Sequence, residues 1–362
     1  WRELCCPAEI RLKGEDFHEM SDTTSRLKRF LLERGRALRD IEPLSPDAST
    51  REYFRILWDS STAVACVYPL AFDPAMDAYL DVSDLFELAK FPIAKILDFD
   101  RGAGVVIQED LGDLNLNAFL QSASPDEADR RISQAIGLVA QIQSATTLAV
   151  STDSVAAKKK FDFDKLFWEL EFFLTHYNQT LQNRPLELSL KEAIYRDFRE
   201  LSDELAACST VLCHRDFHSF NLMIDRAGEL RIIDHQDARI GSPTYDLVSL
   251  LLDRVTSPPE HLWLRQKQAE LLAKRLRLGL PNLRPDEFDR EFNLQVVQRC
   301  LKAVGTFSYQ TAVRGKTGYK AFIGPMLKIA ADAARAVGRF SALTDYLNDE
   351  TLKREDNLPA SS

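Results

Sequence analysis

The 362-residue chain has no apolar run of membrane-spanning length, no CxxC pair or zinc-ligand spacing, no excess of basic charge, and no internal repeat or low-complexity segment. Each absence removes a class of function. A membrane-spanning helix needs about 20 consecutive apolar residues, so no membrane partner is expected. Charges interrupt the first twenty residues where a secretory signal needs an unbroken apolar stretch, which points to the cytoplasm. Lys and Arg number 46 against 55 Asp and Glu, a net charge of −9. A nucleic-acid binder needs a basic face to neutralise phosphates, so no nucleic acid is expected either. The six cysteines, Cys5, Cys6, Cys66, Cys208, Cys213 and Cys300, read as thiols in a reducing compartment. What remains is a chain long enough for two lobes, with a small molecule as its expected partner.

Hydrophobic periodicity divides the chain. Residues 1–19 differ in character from the remainder and read as an upstream extension, with a capped amphipathic helix beginning near Met20 and running over Leu27 to Leu38. "REYFRIL" and "TAVACVYP" then form a hairpin about "WDSS", and "IAKILDFD" and "GVVIQED" form a second about Asp100 to Gly102. Between them Leu80, Leu85, Phe86 and Leu88 carry helical spacing. From about Leu114 the pattern turns to long amphipathic helices, with a single strand-like interruption, "NLMIDRAGELRIID". The expected fold is α+β and bilobal: a small β-rich lobe over 20–110, a larger mainly helical lobe over 111–347 and a polar tail over 348–362, hinged at "EDLGD", 109–113.

The chemistry concentrates in "LCHRDFHSFNL", 212–222. Phosphoryl transfer needs a carboxylate that orients the acceptor hydroxyl and oxygen ligands that hold magnesium against phosphates. Asp216, Asn221 five residues later, and Asp234 at the end of the following hairpin supply that set in the order H-R-D-x-x-x-x-N, then Asp. A turn that polar residues merely cap and solvate is the plain alternative. It would have to produce the Asn offset, the hairpin and the terminal Asp together by chance. His214 reads as a structural residue bonding backbone around the loop. His218 lies where a cation could meet the transferring phosphate, or where a neutral hydrogen bond would serve. "GSPTYDLVSLLLDR" opens a helix with Ser242 as cap, Pro243 in first position and Asp246 in the first turn. Asp246 is either a helix-dipole charge or a brace for the catalytic loop.

These residues resemble the aminoglycoside phosphotransferase family, whose members have a protein-kinase-like fold and phosphorylate small-molecule hydroxyls with ATP and Mg2+. The likeness runs from about residue 24 through nearly the whole chain. Within the family, "DASTREYFRI", "EDLGD", "HRDFHSFNLM", "IDHQDA", "GSPTYDLVSLL" and above all "QRCLKAVGTF", 298–307, are similar to cell-wall sugar kinases. Those enzymes phosphorylate N-acetylmuramate and N-acetylglucosamine at the anomeric hydroxyl in peptidoglycan recycling. The resemblance implies that Asp216 is the catalytic base, Asn221 and Asp234 are the magnesium ligands, Glu109 to Leu111 are hinge backbone facing adenine, and Asp246 is the loop brace. Ser49, in a loop "SPDASTRE" that has no glycine, is assigned to the nucleotide with Arg51, Arg55 and His218. The strand "TAVACVYP" has no lysine where kinases place one against the phosphates, and Arg51 or Arg55 is the expected substitute.

An N-acetylmuramate acceptor carries a lactyl carboxylate, which an arginine fork holds best. Arg299, Lys302 and Arg314 are the candidates, against the plain reading of Arg299 and Lys302 as solvated charges on one helix face. Asp237 is expected to meet sugar hydroxyls. A kinase of another alcohol such as an aminoglycoside would need an acidic pocket, whereas "QRCLK" and "VRGKTGYK" are basic. A nucleotide-binding pseudokinase is the alternative from a different class, and a monomer or weak dimer is expected.

Overall fold

The computed structural model describes residues 16–44 and 50–355. Helix α1 (Asp16–Glu33) precedes strands β1 (Glu42–Leu44), β2 (Glu52–Trp58) and β3 (Ser61–Val67); helix α2 (Pro74–Leu88) separates these from β4 (Ile96–Asp100) and β5 (Val105–Glu109). The five strands make one antiparallel sheet in the order β1-β2-β3-β5-β4. Strand alternation sorts its two faces. Phe54, Ile56, Trp58, Ala63, Ala65, Val105 and Ile107 pack with Leu27, Phe30 and Leu31 of α1. Cys66, Tyr68 and Val106 pack with Met76, Tyr79 and Leu80 of α2, and Tyr53 joins that second cluster. Arg51 and Arg55, in phase with Tyr53, therefore belong to the face turned toward α2 and the second lobe.

The second lobe begins where β5 ends, at the expected hinge. Helices α3 (Leu116–Ser122), α4 (Pro125–Ser144), α5 (Thr146–Ser151), α6 (Val155–Lys158), α7 (Phe163–Leu174) and α8 (Leu188–Ala207) lead to a central insert of short strands. Beyond it come α9 (Tyr245–Leu252), α10 (His261–Arg277), α11 (Pro285–Ala312), α12 (Lys320–Val337) and α13 (Ser341–Glu355). In the insert, β6 (Val211–Cys213) pairs with β9 (Arg239–Gly241), and β7 (Leu222–Ile224) with β8 (Leu230–Ile232). The lobes are stitched together beside the hinge. Ile232 N–H donates to the Pro92 carbonyl at 2.7 Å, Arg231 donates to the Ile93 carbonyl at 2.7 Å and to Glu109 at 2.6 Å, and the Ser154 hydroxyl donates to Asp81 of α2 at 2.6 Å.

Several boundaries differ from the sequence reading. Helix α1 starts at Asp16, ahead of Met20, and stops at Glu33 because Gly35, at φ +65°, turns the chain and its N–H closes back on Leu32. Residues 1–15, most of the expected extension, lie outside the described residues. The single strand-like interruption is in fact two ribbons: β6 and β9 are three residues each, too short for alternation to register. The expected tail at 348 is still helix. There α13 runs to Glu355, and Glu350 is buried, accepting from Tyr177 at 2.9 Å and from Arg184. Ser242 is not the cap of α9. Thr244 precedes the first turn, and the Ser242 hydroxyl accepts its N–H at 3.0 Å.

Helix α11 crosses α7 closely at Gly305, where an added Cβ would lie 2.8 Å from the Phe173 Cα and 3.0 Å from its backbone nitrogen. Backbone on both sides leaves nothing to yield, so Gly305→Ala is expected to destabilise the protein by about 1–3 kcal/mol, measured by denaturant unfolding.

Candidate active site

The loop between β6 and β7 carries the site, and one buried carboxylate shapes it. Asp246, in the first turn of α9, accepts the backbone N–H of His214 at 2.7 Å and of Arg215 at 3.0 Å, one on each oxygen. Burial pushes its carboxyl up to about 7, against the pull of those two N–H groups. The two bonds tie the first turn of α9 to the backbone of the β6–β7 loop. His214 is fully buried, its Nε2 3.0 Å from the Ile233 carbonyl, and burial holds it near 4 and therefore neutral. Arg215 takes the left-handed conformation at φ +85°, which costs on the order of 1–3 kcal/mol for a side chain of this kind. That turn aims Asp216 away from the strand.

Asp216 is 22% exposed and ringed by cations: Arg215 at 3.3 Å, Lys302 at 3.5 Å and Arg299 at 3.7 Å. Burial alone would raise its carboxyl, but Arg215, Lys302, Arg299 and His218 outweigh it and hold the group well below the usual carboxylate range. Asn221 sits at the end of a 3-10 turn, Ser219–Asn221, and donates its amide to the Asp216 carbonyl at 3.0 Å. That donation uses the amide nitrogen and leaves the side-chain oxygen as the atom that could ligate a metal. Asp234, at φ +62°, follows β8 with its side chain 38% exposed, and accepts Arg51 at 2.9 Å and Gln236 at 2.8 Å. The donor set of one amide oxygen and one carboxylate is hard, which suits magnesium, an ion that completes its shell from phosphate oxygens and water. Among the described residues no cluster of three or more His, Cys, Asp or Glu could hold a metal alone.

The two candidate phosphate cations part company. Arg51 crosses the sheet face near Tyr53 and Tyr68, each ring 5.7 Å away, beside Cys66 on β3 and against Asp234. Arg55 instead forks onto Asp110 at 2.9 and 3.2 Å and reaches Asp113 at 2.8 Å, tying β2 to the hinge. Its guanidinium is committed there, whereas Arg51 spans the cleft to Asp234 at 2.9 Å. Glu109 spends its carboxylate on Arg231, and Leu111 is buried beside it. His218 is buried, with Nδ1 lacking a partner, and burial lowers its pKa despite Asp253. Ser49 lies outside the described residues.

On the acceptor side the picture of a solvated helix face fails: Arg299 is 3% and Lys302 9% exposed. Arg299 donates through one nitrogen, Nη2, to Ser249 at 3.0 Å and to Asp253 at 2.8 Å, and its buried Nε has no hydrogen-bond partner among the described residues. Lys302 is less committed, and burial together with the neighbouring Arg299 pushes it down to about 8. Asp237 is clamped by Arg215 at 2.7 Å and Arg239 at 3.3 Å. Arg314, past the end of α11, is exposed beside the Tyr309 ring.

Three participants were missed. Glu169 of α7, buried, accepts Gln298 at 2.8 Å and Lys165 at 3.3 Å; its signal was a carboxylate inside the apolar run "LFWELEFF". Asp253 is the partner of Arg299, and an acid ending "LVSLLL" had marked it. His235 bonds the Ser83 hydroxyl at 2.7 Å and stacks on Phe86 and Tyr79, locking α2 to the Asp234 turn. Nothing but its adjacency to Asp234 pointed to it.

Residues 40–292 match the phosphotransferase enzyme family. The chain is 28% identical over 320 residues to the N-acetylmuramate/N-acetylglucosamine kinase of Neisseria meningitidis serogroup B, covering 87% of this chain and 92% of that protein. It is 29% identical over 294 residues to the protein of the same name from Pseudomonas aeruginosa, covering 77% and 79%. Among solved structures, the choline kinase LicA from Streptococcus pneumoniae superposes with a TM-score of 0.54 at 13% identity, over 84% of this chain and 99% of that one. The ADP-bound aminoglycoside phosphotransferase APH(2'')-Ib does so at 0.53 and 14%, over 85% and 98%. These likenesses bear out the α+β, bilobal, protein-kinase-like fold expected from the sequence.

Replacing Asp246 by Asn would set an NH2 against one of the two backbone donors, His214 or Arg215. Asp246→Asn is expected to lose about 2 kcal/mol of stability, the scale of a hydrogen bond to a charged group, and to depress catalytic turnover with it. Denaturant unfolding and a turnover assay on the same preparation measure both.

Proposed function

The chain belongs to the phosphotransferase enzyme family and is a small-molecule kinase; from that premise we propose that it phosphorylates the anomeric hydroxyl of an amino sugar, N-acetylmuramate or N-acetylglucosamine, using ATP and Mg2+ in cytoplasmic peptidoglycan recycling. The observation that carries the reading is the setting of Asp216: an ionised carboxylate ringed by three buried cations on the side where an acceptor would enter. Arg215, Lys302 and Arg299, all buried, stand 3.3, 3.5 and 3.7 Å from its carboxylate. Such a field attracts a neutral or anionic sugar and repels a polycationic aminoglycoside. The sugar-kinase relatives support the same acceptor class.

Asp216 is too weak a base to strip a sugar hydroxyl in advance. It accepts the hydroxyl's hydrogen bond, fixes the oxygen in line, and takes the proton late, as a loose phosphoryl-transfer transition state requires. A bound Mg-nucleotide supplies the phosphoryl group and the charge neutralisation, with Asn221 and Asp234 to hold its metal. Arg51, 2.9 Å from Asp234, is the cation suited to the phosphates in place of the missing strand lysine. The Arg55 fork holds the hinge closed instead. Lys302, 3.5 Å from Asp216, takes over from Arg299 as the group that meets a lactyl carboxylate, because Arg299 already pairs with Asp253 and Ser249 while Lys302 has the weaker protein contact.

A coupled ATPase assay across a panel of sugars and aminoglycosides tests the reading directly; turnover confined to aminoglycosides, or none on any acceptor, refutes it. In that assay Asp216→Asn should keep fold and nucleotide affinity yet lose on the order of 10²-fold or more in kcat. Near-normal turnover would remove Asp216 from the mechanism.

A pH dependence arises from Lys302. Its pKa is lowered to about 8, so its charge is present below that pH and lost above it. The kcat/KM preference for N-acetylmuramate over N-acetylglucosamine should therefore fall by about 10-fold as pH rises through 8. In Lys302→Gln the ratio should be low and flat with pH, and an unchanged profile would assign the carboxylate to another cation.

A further inference from the structure

We propose that the acceptor site continues past the reacting sugar into a second subsite for a pyranose ring, formed by the half-buried aromatic cluster of Trp168, Phe172, His176 and Tyr309. The inference rests on the sugar-kinase reading and extends it from a monosaccharide acceptor to a disaccharide with a free reducing end.

The cluster is a distinct stripe on α7 and its π-helical continuation, Thr175–Leu181. Leu166, Leu170 and Phe173 take the inward face of α7 and are buried, whereas Trp168, Phe172 and His176, four residues apart, lie along its flank and stay partly exposed. Helix α11 runs alongside in the same direction and contributes Tyr309. Successive ring centroids are 5.4 Å apart for Trp168 and Phe172, 4.1 Å for Phe172 and His176, and 5.0 Å for His176 and Tyr309. At 1.5 Å per residue the strip extends about 12 Å, longer than one sugar ring.

Its near end joins the catalytic centre through a short chain of contacts. Lys302 stands 3.5 Å from Asp216 and within the electrostatic reach of Glu169. Glu169 pairs with Lys165, whose ammonium lies 4.3 Å over the Trp168 ring. Along α11 the same direction is marked by Lys302, Thr306 and Tyr309, one stripe of a single helix face. At the far end Arg314 lies beside Tyr309, 5.9 Å from the ring centre. A row of partly wetted rings next to a site, rather than under the core, is the composition of a binding wall.

The chemistry favours a saccharide. A pyranose presents a face of C–H bonds that packs on an aromatic ring and an edge of hydroxyls that needs polar neighbours. Trp, Tyr and His offer both a face and a polar edge. The rings are tilted against one another, 42° between Trp168 and Phe172 and 71° between His176 and Tyr309, so they offer both ring faces and ring edges to a saccharide. Because the anomeric hydroxyl is the proposed acceptor, the reducing end sits at Asp216 and the non-reducing ring extends outward along this wall.

The full-length protein should be assayed with N-acetylglucosamine and with its β-1,4-linked disaccharide. The disaccharide is expected to be phosphorylated with kcat/KM at least equal to that of the monosaccharide. Tyr309→Ala should lower the disaccharide value by about 10-fold while leaving the monosaccharide within about 2-fold. Independently of turnover, titration of the wild-type protein with the disaccharide should change its intrinsic tryptophan fluorescence, and Trp168→Phe should abolish that change. The subsite is overturned if the monosaccharide is turned over while the disaccharide is neither phosphorylated nor bound, or if Tyr309→Ala costs both sugars equally. If no sugar is a substrate, the proposed function falls, and the fluorescence titration still decides whether the wall binds a glycan.

Discussion

Everything at the catalytic loop hangs on two backbone N–H groups and one carboxylate. Asp246 receives His214 and Arg215, and that clamp allows Arg215 to hold φ +85°, a conformation the chain would otherwise leave. Arg215 in turn determines the direction of Asp216, the turn that brings Asn221 back to the Asp216 carbonyl, and its own contact with Asp237. A residue on a helix thus sets the geometry of a loop, and the helix is fixed by a fully buried apolar face, Leu247, Val248, Leu250, Leu251 and Leu252. Core packing is in this way converted into the position of one oxygen atom.

The second constraint is charge. A buried ion is tolerated only with partners, and the acceptor side of the cleft meets that condition by alternation: Asp253, Arg299, Asp216, Arg215 and Asp237 each touch the next. Lys302 stands beside this chain of charges and meets it at Asp216, 3.5 Å away. Its depressed pKa reflects a cation that protein carboxylates only partly compensate, which is the condition under which an incoming anion contributes most.

The sequence was most legible where spacing and chemistry coincide. Asp216, Asn221 and Asp234 could be picked out because three residue types at fixed offsets flank a hairpin, and the two-lobed plan because strand alternation gives way to helical periods at Glu109. Short elements escaped: β1, β6 and β9 are three residues each, below the length at which alternation has meaning. Long-range pairings escaped as well. Nothing local in "QRCLK" says that Arg299 meets Asp253 and that both lysine and arginine are buried, since a 3.6-residue period places them on a face without saying what covers it. Arg51 and Arg55 looked equivalent on one strand face. Only the positions of Asp110, Asp113 and Asp234 in space separate them.

The close crossing at Gly305 has a consequence for how this scaffold diversifies. With no side chain between them at Gly305, α7 and α11 form a closely packed pair, and this pair, not the loop that bears Asp216, carries Glu169, Lys165, Arg299 and Lys302. Asp216 and Asn221, proposed to act on the phosphate, lie instead in the loop braced from α9. Changes in acceptor recognition can therefore accumulate along two helices without disturbing the phosphate chemistry, so substrate range and catalytic competence are inherited as separate modules. One glycine sets the separation between those helices. It makes the recognition module one that evolves by exchanging side chains on a fixed frame, not by moving the frame.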